Sequence, residues 1–424
     1  MISTELLYNE FQSLQQNRKR NNEWLESVRS SAFEAFQRQG FPDIKREDWR
    51  FTNILPFLKE DYQVPAESVS FKEAATSSIP SLEAYTILLQ NGRLHTAPSI
   101  PGLKILPLTK ALSNSELHSY FGRHILLNEQ AFAALNTAFF EDGILIEIDK
   151  NAVIDKPLHI IQQYHHQQAG FIQPRMLIVA NQHSKAEIIE TVVMENGSPL
   201  FVNTVSEFYV KENAQLSHYN IQLAPASGRF VNFTQAVQDA NSLFNSYVYT
   251  LPGAALIRNN LHIALKGSNT ESHLYGLYLG GHGQLIDNHS LVDHRQPNCM
   301  SNQLYKGVLT GNSKAVFNGK IYVHQAAQKT NAFQQNNNLL LSDKAVIDTK
   351  PQLEIFADDV KCSHGSTTGN FNNDALFYLK TRGIGEEKAR KLLVNAFAFD
   401  VTNKIKIPAL QKHVEKLIGE GMNG

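Results

Sequence analysis

Hydrophobic positions in the first forty residues repeat at the spacing of an α-helix, with Arg and Glu on the opposite side. The apolar face consists of Leu25, Val28, Ala32, Ala35 and Phe36. Gly40 and Pro42 supply a stop, so we predict that this helix ends there. A second helix is predicted near Glu129–Phe139. The stretch from about Pro56 to Leu127 mixes short apolar runs with Pro and Ser and predicts no definite element.

From Gly143 onward the period of the pattern changes to two. Ile144, Ile146 and Ile148 alternate with the residues between them, which is typical of a strand. A diffuse repeat follows, in which a turn leads to a small residue and, two positions later, an aliphatic or aromatic residue. The small residues are Ala186, Ala214, Ala254, Gly283, Ala315 and Ala345, at steps of 28, 40, 29, 32 and 30 residues.

This repeat predicts coils that stack and bury one continuous core. A large β-sandwich with recurring hairpins would give the same pattern, so the repeat alone leaves both architectures open. Asn336, Asn337 and Asn338 are interpreted as a structural ladder inside the turns of such a stack.

The end of the chain returns to helical spacing. Gly383-Ile384-Gly385 breaks the pattern, and the acidic residues that follow favour a helix N-terminus through the helix dipole. Two apolar stripes come next: Ala389, Leu392, Leu393, Ala396 and Phe397 in the first, and Leu410, Val414, Leu417 and Ile418 in the second. Such stripes either pack on the chain's own core or face a partner. The pattern as a whole predicts an α-rich region over 1–142, a β core over 143–371 and a helical region over 372–424.

Composition narrows the class of protein. A chain of 424 residues exceeds what one compact core usually holds. The net charge of −1 and a pI near 7 give no indication of a nucleic-acid or anionic-membrane partner. Two cysteines exclude a disulfide scaffold and fit a reducing compartment. No apolar run approaches the ~18 residues that a membrane span needs, and the polar start of the chain does not resemble a signal peptide. We therefore expect a cytoplasmic protein that binds no membrane.

Cys362-Ser363-His364-Gly365 carries the strongest candidate chemistry. In an extended segment Cys362 and His364 point to the same face, with Cα atoms about 6.6 Å apart. Thiolate and imidazole are ligands for iron, zinc or an iron–sulfur cluster. The alternative is a small buried Cys362 beside an ordinary surface His364.

A tetrahedral metal site needs four ligands, and this pair supplies two. Asp358 would share the face of Cys362 if the strand ran unbroken, and Lys361 would favour the thiolate. Asp358 and Lys361 are therefore candidates for residues that contact the metal ligands without binding the metal themselves. The site stays incomplete even so, which indicates that another chain supplies the missing ligands.

A second group of possible ligands lies upstream. It consists of His262, His273, His282, His289, His294 and Cys299. The spacings between the histidines, 11, 9, 7 and 5 residues, match no ligand motif. Surface or ladder positions are the expected interpretation, and a metal site is the alternative.

Several catalytic motifs are absent from the sequence: a phosphate loop, a dinucleotide-binding loop and a Gly-x-Ser-x-Gly elbow. Asp358-Asp359 could indicate a polysaccharide-processing β-helix enzyme, in which carboxylates act as acid and base. Adjacent residues of a strand face opposite sides, however, so this pair does not converge without a bulge.

The segment from Pro351 to Phe371, with Val316-Phe317-Asn318-Gly319 and the three asparagines upstream, resembles the SufB/SufD family of iron–sulfur cluster assembly proteins. Glu47-Asp48-Trp49-Arg50-Phe51-Thr52 is similar to the N-terminal Glu-x-Trp-(Lys/Arg)-(Tyr/Phe)-Thr of that family, where Trp49 and Thr52 are expected to be structural. SufB-like chains usually read Cys-x-His-Glu and are longer and richer in cysteine. Gly365 at the last position therefore favours the SufD branch.

The resemblance implies a mainly β fold, a right-handed parallel β-helix flanked by helical N- and C-terminal regions. It implies a non-enzymatic subunit of a SufBCD scaffold that helps to acquire iron and to build and transfer clusters. A SufB-like paralogue would meet the end of the β-helix that carries Cys362 and His364. A SufC-like ABC ATPase would dock at Tyr378, Arg382, Gly383 and Ile384. The isolated chain would hold no cofactor stably, iron or a cluster being bound transiently in the complex. A homodimer of the isolated chain is compatible with this, and a purely architectural homodimer stays open as an alternative.

Overall fold

The computed structural model describes residues 2–17, 22–64, 79–194, 197–371 and 373–421. The outer limits of the three predicted regions, at residues 1, 372 and 424, fall outside these ranges, and the division near residue 143 stays a prediction. Within the part of the chain described, no helix is long and apolar enough to cross a membrane.

The N-terminal part combines helices with three short strands. The helices are α1 (Thr4–Asn17), α2 (Glu23–Gln39), α3 (Leu108–Ala111) and α4 (Ala131–Phe139), with 3-10 turns at Glu47–Trp49, Leu55–Leu58 and Ser115–Ser119. The strands are β1 (Tyr85–Gln90), β2 (Arg93–Thr96) and β3 (Leu103–Pro107). Both predicted helices are confirmed as α2 and α4. Gly40 ends α2 at a φ of 62°, and its N–H donates to the carbonyl of Phe36 at 2.7 Å. The strands lie in the stretch for which the sequence predicted no element.

The centre of the chain is a parallel β-helix built from seventeen strands in the described residues. They are β4 (Ile144–Ile148), β5 (Leu158–Tyr164), β6 (Gly170–Ile172), β7 (Arg175–Ala180), β8 (Lys185–Met194), β9 (Leu200–Val210), β10 (Gln215–Gln222), β11 (Gly228–Gln238), β12 (Leu243–Thr250), β13 (Leu256–Leu265), β14 (Glu271–Gly280), β15 (Leu285–His294), β16 (Met300–Leu309), β17 (Lys314–Val323), β18 (Thr330–Leu340), β19 (Val346–Ile355) and β20 (Val360–Asn370). This confirms the predicted β-helix and rules out the sandwich.

Each coil contributes one strand to each of two facing sheets. Sheet 1 has the order β2-β1-β5-β8-β10-β12-β14-β16-β18-β20, and sheet 2 the order β3-β4-β7-β9-β11-β13-β15-β17-β19, with β6 also beside β9. From β4 onward neighbouring strands are parallel. The number of residues in a coil varies along the stack: it is smaller between the paired residues Arg229 and Leu256 than between the paired residues Lys314 and Val346. In the described part of the chain, antiparallel pairs occur only at the start, between β1 and β2 and between β3 and β4.

The repeat seen in the sequence mixes the two sheets. Ala186 and Ala214 lie at the start of strands in sheet 1, whereas Ala254 and the later small residues lie at the start of strands in sheet 2. The step of 40 residues marks the change from one sheet to the other. The spacing of the predicted repeat is therefore close to the length of one coil. The repeat does not mark the same strand in every coil, however, because small residues precede strands in both sheets.

The main core fills the space between the sheets. Its inward side chains form rows along the helix axis, such as Leu216 and Phe244 in sheet 1 and Ile146, Ile178 and Phe208 in sheet 2. All five are fully buried. Each such side chain contributes about 1.5–3 kcal/mol when it leaves water, so the stack is stable only as a whole.

The C-terminal helices cover the outer face of sheet 1. They are α5 (Asn373–Thr381), α6 (Glu386–Thr402) and α7 (Pro408–Gly421). The predicted stripe on α7 is confirmed, since Leu410, Val414 and Ile418 pack into the cluster that contains Tyr219, Tyr247 and Tyr249 and Leu417 packs against it. In α6 the prediction is wrong in part. The buried side is Ala389, Val394, Ala398 and Val401, while Leu392 and Ala396 are exposed.

The N-terminal region packs on the outer face of sheet 2. Phe132 of α4 stacks on Phe201 of β9 with ring centroids 5.8 Å apart. Asn136 of the same helix donates hydrogen bonds to the carbonyls of Pro174 and Asn203 at 2.8 and 2.7 Å. The two outer faces of the β-helix are thus covered along much of their length, and its C-terminal end is not.

Candidate functional site

The C-terminal end of the β-helix is an open edge. Among the residues that the structure describes, strand β20 pairs only with β18, and β19 pairs only with β17. These two edge strands have ten and eleven residues, whereas the other end of sheet 1 finishes in the four residues of β2. All but two of the residues of β20 are exposed, the exceptions being Val360 and Cys362. Long uncovered edge strands are templates for pairing with another chain.

Cys362 and His364 both face the space between the sheets at this open end. They occupy the same ladder positions as Ala332 and Gln334 of β18, which are buried inside the coil. In a parallel ladder, paired residues point the same way. Cys362 is half-buried against the apolar cluster that contains Ala332, and His364 is exposed. The two predicted ligands are therefore neighbours on one face, in the last coil.

Asp358 does not lie on that face. Strand β19 ends at Ile355 and β20 begins at Val360, with a turn between them that contains both aspartates. The run from Leu353 to Cys362 is thus two strands in opposite sheets, and the condition of an unbroken strand fails. The sequence does mark this break, since Ile355-Phe356-Ala357 interrupts the alternation and Asp358-Asp359 is typical of a turn.

Lys361 points to the opposite face of β20 from Cys362, in register with Asn331. Partial burial raises the pKa of the Cys362 thiol, and a backbone hydrogen bond with Ala332 offsets this only in part. This raised pKa is opposite to the lowered pKa that the neighbouring Lys361 was expected to cause. The isolated chain therefore holds a thiol that gives up its proton less readily than an ordinary cysteine.

Within the described residues, no group of three or more His, Cys, Asp or Glu side chains is arranged to hold a metal ion. The five upstream histidines are divided between the two sheets and a turn. Three of them have polar partners within 3.0 Å: His273 with Glu271, His289 with Asp287, and His294 with Ser301. Burial lowers the pKa of both His262 and His294 to about 4. Cys299 is buried and accepts a hydrogen bond from Thr270 at 3.0 Å. These partners and this burial favour the structural interpretation of the group over a metal site.

A row of buried amides forms the floor below His364. The Nε2 of Gln334 donates to the Oε1 of Gln303 at 2.9 Å, and the Nε2 of Gln303 donates to the hydroxyl of Ser290 at 2.7 Å. Gly319 makes room for this row, because a Cβ at that position would lie 2.2 Å from the Nε2 of Gln334. Close packing against Gln334 therefore explains the glycine in the Val316–Gly319 motif.

The asparagines lie in strand β18 and not in turns, which corrects the sequence interpretation. Asn336 and Asn338 are buried between the sheets, and Asn338 donates to Asn336 at 2.8 Å. The hydroxyl of Tyr278 accepts from Asn336 at 3.0 Å and donates to Asn338. Asn337 points outward and accepts from Thr367 at 3.0 Å. These bonds join β14, β18 and β20 across the last four coils of sheet 1 and fix the end of the stack.

The motif at residues 47–52 fastens the N-terminal region to sheet 2. The guanidinium of Arg258 lies 3.8 Å from the ring centroid of Trp49 and forms a fully buried ion pair with Asp287. The hydroxyl of Thr52 donates to Asp287 at 2.6 Å. Burial disfavours the charge of Asp287, but Arg258, His289 and Thr52 outweigh it and lower the pKa of Asp287 to about 2. The structural role expected for Trp49 and Thr52 is confirmed.

Sequence reasoning missed Arg258 and Asp287. They face each other in the ladder between β13 and β15, exactly one coil apart in register. Opposite charges separated by one coil length, each within an apolar strand, are the signal that could have identified them. The motif also reaches the last coil, since Lys350 of β19 forms an ion pair with Glu47.

The four predicted partner-binding residues lie together where α5 ends. The guanidinium of Arg382 donates to the hydroxyl of Tyr378 at 3.1 Å and lies 5.2 Å from the centre of its ring. Gly383 adopts a φ of 82°, and the N–H of Ile384 returns to the carbonyl of Leu379 at 3.2 Å. Phe377 and Tyr378 are 69% and 56% exposed, which leaves an apolar patch on the outer side of the helical region.

A parallel β-helix with an open last coil and helical regions on its outer faces is the class of protein that these features define. Two family models match the chain: the SufBD protein N-terminal region over residues 3–160, and the SufBD core domain of SUF-system FeS cluster assembly over residues 162–397. The chain belongs to the SufB/SufD family of iron–sulfur cluster assembly proteins.

Relatives agree with this family. An iron–sulfur cluster assembly SufBD family protein of Synechocystis is 32% identical over 397 residues, which cover 89% of this chain and 86% of that protein. The iron–sulfur cluster assembly protein SufD of Escherichia coli is 29% identical, over 91% of this chain and 90% of its own length. SufD of Bacillus subtilis is 25% identical over 93% of each chain. The similarity to SufD proteins thus extends over most of the chain.

Proposed function

We propose that this chain is a SufD-like subunit of a cytoplasmic SufBCD scaffold, and that it helps to acquire iron and to build and transfer iron–sulfur clusters without being an enzyme itself. One observation carries the proposal: Cys362 and His364 face inward together on the uncovered edge strand β20. In this position a thiol and an imidazole provide half of a coordination sphere. A second chain that continues the stack would supply the other half.

The partner at this edge is a SufB-like paralogue. Strands β19 and β20 offer unpaired backbone groups over ten and eleven residues, enough to extend both sheets across an interface. Phe356, exposed in the turn between them, adds apolar area beside Tyr322, with ring centroids 5.3 Å apart. An interface along this edge would enclose Cys362 and His364 between two chains.

Iron or a nascent cluster is the cargo of this site and is held transiently. Metal binding requires the Cys362 thiolate, and burial raises the pKa of that thiol in the isolated chain. A metal ion held also by a partner's ligands would compensate for this cost. The isolated chain is therefore expected to bind iron weakly, and the complex to bind it well.

A SufC-like ABC ATPase is the second partner. Its docking surface is the patch at the end of α5, with Tyr378, Arg382, Gly383 and Ile384. Exposed aromatic and arginine side chains are the residue types that dominate binding energy at protein interfaces. The sequence has no phosphate loop, so the ATPase activity would belong to the other chain.

Reconstitution with both partners tests the proposal. The wild-type chain, Cys362→Ala, His364→Ala and the control Ser363→Ala would each be combined with the SufB-like and SufC-like chains, followed by iron and sulfide analysis. Ser363 lies between the two candidate ligands but faces outward. Loss of iron and sulfide in the two site variants alone is expected. Unchanged contents in both would favour the purely architectural alternative.

A further inference from the structure

Gln334 is a buried amide whose nitrogen is hydrogen-bonded and whose oxygen is not, within the residues described. Its side chain is 3% exposed, and its Nε2 donates to Gln303. Its Oε1 is buried and accepts no hydrogen bond within the residues that the structure describes. A buried acceptor without a partner destabilises a fold, so it requires an explanation. The explanation lies in the neighbouring strand.

The residue next to Gln334 toward the open end is His364. The two are paired in the ladder between β18 and β20, and both face the space between the sheets. Adjacent strands lie about 4.8 Å apart, which brings the two side chains within reach of each other. A neutral imidazole carries one N–H and one bare nitrogen, so its ring has a donor to offer.

The orientation of the Gln334 amide is set from below. Gln303 directs its Oε1 at Gln334 and its Nε2 at Ser290, so the amides in this row point in one direction. Rotation of Gln334 by half a turn would bring two acceptors together. The row therefore keeps the Nε2 of Gln334 toward Gln303 and leaves the oxygen free for another donor.

We propose that Gln334 is the positioning residue for His364. Its Oε1 accepts the N–H of the His364 ring, which selects one tautomer and leaves the other ring nitrogen bare and directed out of the open end. Histidines that bind metals usually donate their second N–H to such an acceptor. This inference rests on the proposed function, because it assigns the bare nitrogen of His364 as the ligand.

The tautomer of His364 can be measured without any metal. The full chain, labelled with 15N in its histidines, would be studied by NMR at about pH 9, where histidine side chains are neutral. Loss of a signal in His364→Ala assigns the ring. The variant is Gln334→Met, which removes the acceptor. Asn338→Leu is the control, since it changes a buried amide in the same strand but beside Thr368.

One tautomer of His364 is expected to dominate in the wild-type chain and in the control. In Gln334→Met the ratio of tautomers should fall by a factor between about two and ten, the range that one net hydrogen bond contributes. Equal tautomer populations in the wild-type chain would overturn the inference, even if Gln334→Met did not fold. An unchanged ratio in a folded Gln334→Met would do the same.

Failure of this inference is distinct from failure of the proposed function. The NMR measurement involves no partner and no iron, whereas the reconstitution does not depend on the tautomer. A wild-type chain with mixed tautomers and a normal cluster would remove the role of Gln334 and leave that of His364.

Discussion

The hydroxyl of Thr52 donates a 2.6 Å hydrogen bond to a carboxylate oxygen of Asp287, a residue 235 positions further along the chain. Both residues are buried, and Asp287 is also paired with Arg258, on which Trp49 stacks. One short N-terminal motif thus satisfies a charged pair on the outer face of the β-helix. The same motif contacts Lys314 and Lys350, the latter in the last coil, so it braces the end that carries the candidate site.

Thr52→Val should destabilise this junction by about 1.5–3 kcal/mol, the range for a hydrogen bond to a charged group. Valine has nearly the same shape, so the loss is that of the hydroxyl and not of packing. The fluorescence of Trp49 reports the junction in a Trp24→Phe background, because the chain has two tryptophans. Thr96→Val, at an exposed position of β2, is the control. Equal melting temperatures for Thr52→Val and Thr96→Val would refute the bracing role.

The stability supplied by Asp287 should vanish as the pH falls from about 4 toward 2. Burial disfavours the charge of Asp287, but Arg258 and the other partners outweigh this effect and lower the pKa of Asp287 to about 2 in the folded state. An unfolded aspartate titrates near 3.9, so the unfolded chain takes up the proton first and the folded state loses its advantage below pH 4. This pH-dependent part is worth about 2 kcal/mol, and roughly half of it is gone at pH 3.

Urea unfolding of the wild-type chain and of Asp287→Asn at several values from pH 7 to pH 3 measures this effect. The asparagine variant is expected to be less stable at every pH, because Arg258 keeps no charged partner. The gap between the two chains should be constant above pH 5 and narrow below pH 4. A gap that stays constant down to pH 3 would contradict the assignment.

Gly319→Ala should damage the floor of the open end. The added methyl group would lie 2.2 Å from the Nε2 of Gln334, a buried side chain that would have to give up its hydrogen bond to Gln303 to move away. Overpacking of this kind costs about 1–3 kcal/mol. Gly369→Ala in β20 is the control, because a Cβ at that position would meet nothing within 4 Å. Thermal unfolding of both variants decides the matter, and equal stability would argue against a packed floor.

Tyr378→Ala and Arg382→Ala should weaken binding of the SufC-like ATPase by tenfold or more, as loss of central aromatic and arginine side chains does at interfaces. Both residues are exposed, so the fold should be unchanged. Lys416→Ala on α7 is the control. Calorimetric titration with the purified ATPase gives the affinities, and wild-type affinity in both variants would remove this surface from consideration.

Substitution is a better test here than truncation. Deletion of the chain after Arg382 would remove α6 and α7, which cover the apolar outer face of sheet 1 around Tyr219 and Tyr247. Loss of binding by such a truncated chain would then reflect exposure of that face, whatever the role of the docking patch.

Much of the fold was predictable from periodicity because its elements bury one clear face. Helix α2, strand β4 and the stripe on α7 follow directly from it. Helix α6 shows the limit. Its apolar residues surround the helix, so only contact with sheet 1 determines that Val394 and Ala398 are buried and Leu392 is not.

The candidate site was predictable only as far as it is local. Cys362 and His364 are two positions apart, and any extended segment puts them on one face. The turn after Ile355 was missed although the sequence marks it, since Ile355-Phe356-Ala357 interrupts the alternation and Asp358-Asp359 is typical of a turn. Gln334 was out of reach, since it lies 30 residues before His364 and the length of a coil varies along the stack. Register between coils is a property of the assembled sheets and not of any one strand.

Iron and sulfide content of the reconstituted three-chain complex is the most direct test of the central claim, with and without Cys362. Wild-type complex and Ser363→Ala are expected to carry iron and sulfide in equal amounts, and Cys362→Ala to lose both while its partners stay bound. A Cys362→Ala complex with wild-type iron and sulfide would contradict the assignment of this thiol as a ligand at the junction.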